Sequence, residues 1–429
     1  MKLINEAENL NSNGAAKNPP RFSCPKSGGV PPKRANQFFF QFGGQGNSFL
    51  SECSTLFKNY PELEEFFETA FSAIRETISI DEFPYSEFFS HGFELKSWLM
   101  GEDLPPENVL FSCPVSLPSI HITQMAYYHL LELRGVINKD VLDNVIAITG
   151  HSQGIHSACL ASMKLTGKEF YEAFRKFVQY YLYSGSICQL KYPVKKIDDG
   201  LLQISQIRDS AGPSPMAVIT NIRKENLEEI LNNFNRSLEA FDRLTISLEN
   251  TDEIFVISGD TENVIKFRER NFELFQHQGY GWQYLEITAP FHSHFIRDGL
   301  EIFKKDLKKI DFQYYGSDLK SPVMNTFTGE NMQGVSCLGE FLFELQVSRP
   351  LIWKNSIRTL VDNANNSQVI DFGPGKSSAF FTKQILQDKE VEILSATGRA
   401  GLRKLFALHS VEAQVLKNED AVELSKNVS

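Results

Sequence analysis

No run of about 18 apolar residues occurs in the 429-residue chain, so no membrane-crossing helix is expected. The N-terminal stretch, MKLINEAENLNSNGAAKNPP, lacks the apolar centre of a secretory signal. Cysteine is sparse, with six residues (Cys24, Cys53, Cys113, Cys159, Cys188, Cys337) and no CxxC pair. Neither a disulfide frame nor a zinc site is implied, and the thiols read as buried in a reducing, cytoplasmic setting. Positive charge is also in deficit: 43 Lys and Arg against 53 Asp and Glu give −10. That balance argues against nucleic acid as a partner, and against anionic ligands unless local basic patches exist. The Gly-rich turns at 43–46 and 373–375 match neither GxGxxG nor GxxxxGK[ST], so no dinucleotide or P-loop site is implied.

What is present is ordinary globular material, 42% hydrophobic and 22% charged, enough for a large core with a subdomain. Residues 1–35, rich in Asn, Pro, Gly, Ser and Lys, read as a flexible leader, and 412–429 as a frayed polar tail. Order is expected from NQFFFQFGGQGNSF, a buried strand and a tight turn, followed by mostly helix over 51–135. A second strand, Val145 to Thr149, meets a sharp turn and a small-residue helix. The long helix GKEFYEAFRKFVQYYLYSG is expected to stop at its glycine. From Pro215 the texture becomes strand, helix, strand, strand, helix, strand, with ENVIKFRERNFELF as one helix. That is the ferredoxin-like order. After it come a helix over 296–309, a strand near SPVMNTFTG, and strand, turn and helix in SQVIDFGPGKSSAFF. The reading is an α/β fold: an α/β-hydrolase-like core with a parallel sheet (36–213 and 288–411) carrying an inserted ferredoxin-like subdomain (214–287).

Gly150-His151-Ser152-Gln153-Gly154 fits G-x-S-x-G, in which a sharp strand-to-helix turn pushes a serine hydroxyl clear of the sheet. The backbone N–H of Gln153, at a helix N-terminus, would serve as one oxyanion donor. A glycine turn before a packed helix explains the same residues equally well. A serine hydroxyl also needs a base, and of nine histidines His292 in TAPFHSHFI is the best placed, with His294 pointing elsewhere. The early turn offers a second backbone donor at Gln45.

Four segments in this order, FGGQGN (42–47), GHSQGI (150–155), APFHSHF (289–295) and DFGPG (371–375), resemble the transacylase family that loads acyl groups onto acyl carrier protein. The resemblance covers about 38–405 and looks nearest to the acetyltransferase domain of fungal-type fatty acid synthase and the starter-unit acyltransferases of polyketide synthases. It implies Ser152 as acylated nucleophile and His292 as its base, in a dyad whose histidine is held by a backbone carbonyl; the Gly373-Pro374-Gly375 turn is the expected source. It further implies an oxyanion hole from Gln45 and Gln153, and Asn250, in SLEN, at the site.

Malonyl-specific members of that family carry Glu after the motif's last glycine and an arginine on the following long helix. A bidentate arginine suits a free carboxylate. Here Ile155 replaces the Glu and Tyr180 falls near the arginine position, while Arg175 on the same helix reads as a solvated residue. The implied donor is an acyl-CoA with an uncharged acyl group, passed to the phosphopantetheine arm of an acyl carrier protein without metal or redox cofactor. Malonyl transfer, or hydrolysis of an acyl thioester on the same scaffold, are the alternatives. A non-catalytic scaffold and a lipase-like hydrolase explain fewer of the residues. Leader and tail favour action in trans on a separate carrier. Lys304, Lys305, Lys308 and Lys309, or Arg399, Arg403 and Lys404, are candidate patches for that acidic partner.

Overall fold

The structure, a computed structural model, describes residues 37–45, 49–209 and 212–409. The leader at 1–35, the tail at 412–429, Cys24, Gly46 and Asn47 lie outside the described residues. Strand β1 (Gln37–Phe42) precedes helices α1 (Leu50–Asn59), α2 (Glu64–Ile78) and α3 (Cys113–Leu133). Strand β2 (Val145–Gly150) leads into α4 (Gly154–Ser162), followed by α5 (Gly167–Lys191) and α6 (Asp199–Arg208).

Next come β3 (Met216–Thr220), α7 (Lys224–Asn235), β4 (Thr245–Glu249), β5 (Ile254–Ser258), α8 (Thr261–Arg270), α9 (Phe272–Gln278) and β6 (Gly281–Tyr284). The chain closes with α10 (Gly299–Lys309), α11 (Leu338–Val347), β7 (Leu351–Ile352), β8 (Ser367–Asp371), α12 (Ser377–Ile385), β9 (Glu392–Ser395) and α13 (Gly398–His409).

The core sheet is parallel throughout, in the order β2-β1-β8-β9. Helices cover it, which is why β1 is buried on both faces: Phe39, Phe40, Gln41 and Phe42 are all fully buried. Helix α3 is buried from Cys113 to Leu131 and lies among the others as an internal post. The second sheet has the order β6-β3-β5-β4-β7. Its first four strands are antiparallel neighbours in the ferredoxin-like arrangement. The fifth, β7, comes from the main fold and pairs in parallel with β4, Leu248 opposite Leu351.

Four local expectations are corrected. Helix α5 does not stop at Gly185 but continues to Lys191. A Cβ there would sit 2.5 Å from the carbonyl oxygen of Cys113, so the glycine permits close packing on α3. The single helix expected over 262–275 is two, broken at Asn271, whose side chain caps back onto Phe267. The helix expected over 296–309 is a short 3-10 turn, His294–Ile296, and then α10. The strand near SPVMNTFTG is reduced to isolated bridges, Ile148 with Val323 and Met324 with Asn331. Pro322 can accept from Ile148 N–H, at 2.8 Å, but has no N–H to extend the ladder.

A buried polar network joins the strand ends. Gln124 of α3 donates to the carbonyls of Gly43 (2.6 Å) and Gly373 (2.9 Å) and accepts from Ser157 of α4 (2.6 Å). Asp371 accepts from Gln41 (2.5 Å), Ser378 (2.6 Å) and the N–H of Gly373 (3.1 Å), while burial pushes its carboxyl up to about 6. Replacing Gln124 with Met keeps the volume and orphans these partners. We expect a loss of about 2–4 kcal/mol, because each unpaired buried group costs about 1–3 kcal/mol, read as a lower urea midpoint at unchanged slope.

Candidate active site

Strand β2 ends against the turn that carries Ser152, which holds φ +52° between Gly150 and Gly154. The two glycines answer to contact. A Cβ on Gly150 would lie 1.9 Å from the Gly154 carbonyl carbon, and one on Gly154 would lie 2.4 Å from the Gly43 carbonyl oxygen. The turn is pinned by His151 N–H to Phe42 C=O (2.8 Å) and Gly154 N–H to His151 C=O (2.9 Å). The Ser152 hydroxyl is thereby presented at the carboxyl edge of the sheet, where α4 begins and its first N–H groups have no partner within the helix.

His292 meets it from the segment between β6 and α10, also with positive φ (+56°). Its Nε2 lies 2.8 Å from Ser152 Oγ, and its Nδ1 lies 2.8 Å from the carbonyl oxygen of Arg349. That carbonyl fixes the tautomer: Nδ1–H donates, leaving the Nε2 lone pair for the serine proton. The anchor is therefore Arg349 and not the Gly373-Pro374-Gly375 turn, whose Gly373 carbonyl is already taken by Gly43 N–H (2.7 Å) and Gln124. The reason is the path of the loop. His292 and Ser293 hang by their N–H groups on Gln346 (3.1 Å) and Val347 (3.0 Å), the end of α11, so the imidazole faces the residues that follow that helix. His294 turns away and bonds the Phe241 carbonyl.

Burial drives His292 down to about 4, against the opposing pull of its bond to Arg349. His151, beside the serine, is likewise lowered to about 4 by burial; its Nε2 meets Asn250 Oδ1 at 2.7 Å. Asn250 thus reaches the elbow through His151, and both residues line the same cavity as Gln45, Ser152 and His292. Gln45 lines the cavity, and its side-chain amide donates to Ser116 Oγ (2.6 Å). Gln153 caps α4 with its side chain wholly buried.

Ile155 and Tyr180 do not line the cavity. Ile155 packs in the core, and Tyr180 is buried against Phe303 and Phe312 with its hydroxyl on the Gly339 carbonyl (3.1 Å). The helix residue that touches the elbow is the next one. Tyr181, about 100° further round, donates to the Gln153 carbonyl at 2.7 Å. Arg175 points outward to Glu76 and Ser72. Of the basic patches, Lys304 pairs with Glu301, Lys309 with Asp306 and Lys404 with Glu392, and Arg399 bonds Asn59. Lys305, Lys308 and Arg403 have no ion pair among the described residues. Gln124 and Tyr181 escaped the sequence reading; the signal for Gln124 was a lone amide in a charge-free helical run.

The cavity measures about 110 Å³ and runs between the serine turn and the subdomain sheet. Its wall is largely apolar, with Met216, Val218, Leu248, Val256, Ile287 and Phe381. Ser152, His292 and the helix N-terminus at one end of such a cavity can take an acyl group onto oxygen and stabilise the oxyanion that forms.

A serine–histidine pair at this elbow, with a ferredoxin-like sheet over it, defines an acyltransferase of the transacylase fold. Over residues 40–292 the chain matches the family described as starter unit:ACP transacylase in aflatoxin biosynthesis, and it belongs to that family. It is 26% identical over 367 residues to the fatty acid synthase subunit beta of Saccharomyces cerevisiae, covering 79% of this chain but 17% of that protein. Among solved structures, the malonyl CoA-acyl carrier protein transacylase of Clostridium perfringens shares the fold at TM-score 0.62 and 21% identity, over 89% of this chain and 99% of that one. A malonyl-transacylase solved in complex with its type II polyketide synthase acyl-carrier protein superimposes at TM-score 0.61 and 17% identity, covering 87% of this chain and 100% of that one. No helix of the described residues is long and apolar enough to cross a membrane.

Two outcomes follow from this geometry. Gly150→Ala forces backbone against backbone and should cost about 2 kcal/mol or more, whereas Gly334→Ala, where a Cβ meets nothing within 4 Å, should change the urea midpoint little. Stability should also fall in mild acid. His151 and His292 stay neutral in the fold down to about 4 and His156 to about 3, and burial holds His121 well below the 6.5 of free imidazole as well. The unfolded chain therefore binds the extra protons. Stability is complete above about pH 6.5 and is lost as pH drops from there towards 4, by up to about 1.4 kcal/mol per pH unit for each imidazole. Asp371, raised from 3.8 to about 6, and the carboxyls of Glu52, Asp209 and Glu286, also raised by burial, work the other way but take effect only at lower pH than the imidazoles do, so the first change below pH 6.5 is a loss. Urea midpoints taken from about pH 7 down to about pH 5 check this.

Proposed function

We propose that the chain moves an uncharged acyl group from coenzyme A to the phosphopantetheine thiol of an acyl carrier protein, in fatty acid or polyketide synthesis, through an ester on Ser152. The observation that carries this is a serine–histidine pair opening into a largely apolar cavity whose lining, among the described residues, includes no Lys or Arg. Ser152 Oγ attacks the thioester carbonyl as His292 Nε2 takes its proton. The backbone N–H groups of Gln45 and Gln153 receive the oxyanion. The tetrahedral adduct collapses, the C–S bond breaks, and the departing thiolate takes the proton from Nε2. In the second half the carrier thiol gives its proton to Nε2 and attacks the ester, and Ser152 recovers the proton as it leaves. Arg349 C=O supports the imidazolium in both halves through Nδ1–H. Atoms and charge balance without metal or redox group.

The choice of a neutral acyl group rests on the missing cation. A free carboxylate in a closed site calls for a fixed guanidinium or ammonium, and the nearest candidate on α5, Arg175, is engaged with Glu76 on the outer side. Cavity size points to a tail of a few carbons, since about 150 Å³ suffices for benzene. Ile155 and Tyr180, which suggested a neutral donor by sequence, shape the core behind the elbow instead.

Intact-mass analysis tests the reading. Incubation with acetyl- or butyryl-CoA should add one acyl mass to the wild type and none to Ser152→Ala, and a holo carrier protein should strip the label. His292→Ala should slow loading by about 10²–10⁴-fold. Loading that decays to free acid as fast without carrier as with it would mark a hydrolase. The acid limb of the loading rate should fall near 4, below the 6.5 of free imidazole, because the base works only when neutral.

A further inference from the structure

Glu286 lines the same cavity as Ser152 and His292, two residues beyond the end of β6 at Tyr284, and it is solvent-exposed, which places it at the open end. Among the described residues no Lys or Arg contributes to that lining. Though Glu286 is exposed overall, partial shielding of its carboxyl by the cavity wall pushes it up, and the like charge of Glu107, from the short helix Glu107–Leu110, adds to this. An acyl group entering from that end meets the Glu286 carboxylate in the same cavity as the serine.

We propose that Glu286 is a specificity-determining residue that turns away donors whose acyl group ends in a free carboxylate; this rests on the reading of Ser152 as the acylated nucleophile. A neutral acyl group crosses the rim against no field. A malonyl group brings its carboxylate towards Glu286 with no cation in the wall to offset the repulsion, in surroundings less polar than bulk water. The effect is selective repulsion, the usual complement to a fitted pocket when one scaffold must separate similar substrates. It is independent of Ile155 and Tyr180, which do not reach the cavity.

The test compares initial rates of Ser152 acylation by malonyl-CoA and acetyl-CoA, by intact mass at about pH 8, where a surface carboxylate is ionised. The malonyl-to-acetyl ratio should rise about tenfold in Glu286→Gln and further in Glu286→Arg, the scale of one close charge pair in a partly screened site. Glu390→Gln removes the same charge next to the amino end of β9, the edge of the parallel sheet opposite the serine, and should leave the ratio unchanged. In the wild type the ratio should also climb with added salt, as the Debye length shrinks from about 10 Å at 0.1 M to about 3 Å at 1 M. This arm needs no variant to fold. A ratio within twofold of wild type in both Glu286 variants overturns the proposal, as does an equal rise in Glu390→Gln. Wild-type enzyme that loads malonyl faster than acetyl overturns the proposal and the neutral-donor reading while leaving Ser152 acylation intact. No loading by any donor removes the transferase reading itself.

Discussion

Three chain reversals at the carboxyl ends of β1, β2 and β8 touch backbone to backbone, and the catalytic geometry follows from that contact. Gly43 N–H bonds Gly373 C=O, and Gly154 rides against the Gly43 carbonyl at a separation no side chain tolerates. Parallel strands bring their ends to one edge; glycines let those ends close on each other; α3 then ties them with a single amide, Gln124. The serine has one place to go, outward, and the helix behind it starts where an anion would need it.

The same burial that locks the turns sets the electrostatics. Imidazoles at 121, 151, 156 and 292 are all held neutral by exclusion of water. His292 alone of these meets the serine hydroxyl. His151 bonds Asn250, and His121 and His156 bond Ser157 and the Gln153 carbonyl behind the elbow. One physical term thus serves two ends: a base with a free lone pair, and polar struts that carry no charge into the core. Low basicity is no obstacle when the base acts within a preorganised hydrogen bond to the hydroxyl and the leaving group is a thiolate.

Much of this was legible in the sequence because it is local. Gly-x-Ser-x-Gly, the Gly-Gln turn and the alternation of strands and helices over 214–287 are short-range patterns that hold Ser152, Gln153, Gln45 and Asn250, and His292 stands in the short segment APFHSHF. What escaped was non-local. The carbonyl of Arg349 has no side-chain signature, since any residue supplies it. Tyr180, expected at the site, lies in the core, while its neighbour Tyr181, about 100° round α5, bonds the Gln153 carbonyl. Gly185 read as a stop because helix ends and helix–helix contacts both favour glycine, and sequence alone does not say which. Strand β7 is two residues long, too short to leave a period.

That two-residue strand has a mechanical meaning. It is the main fold's contribution to the subdomain sheet, and it begins two residues after Arg349, whose carbonyl orients His292. The roof of the cavity and the tether of the base are therefore one piece of chain. The pairing of β4 with β7 therefore also fixes where the carbonyl that holds His292 lies, so a substitution that disturbs this short ladder acts on the base through its backbone.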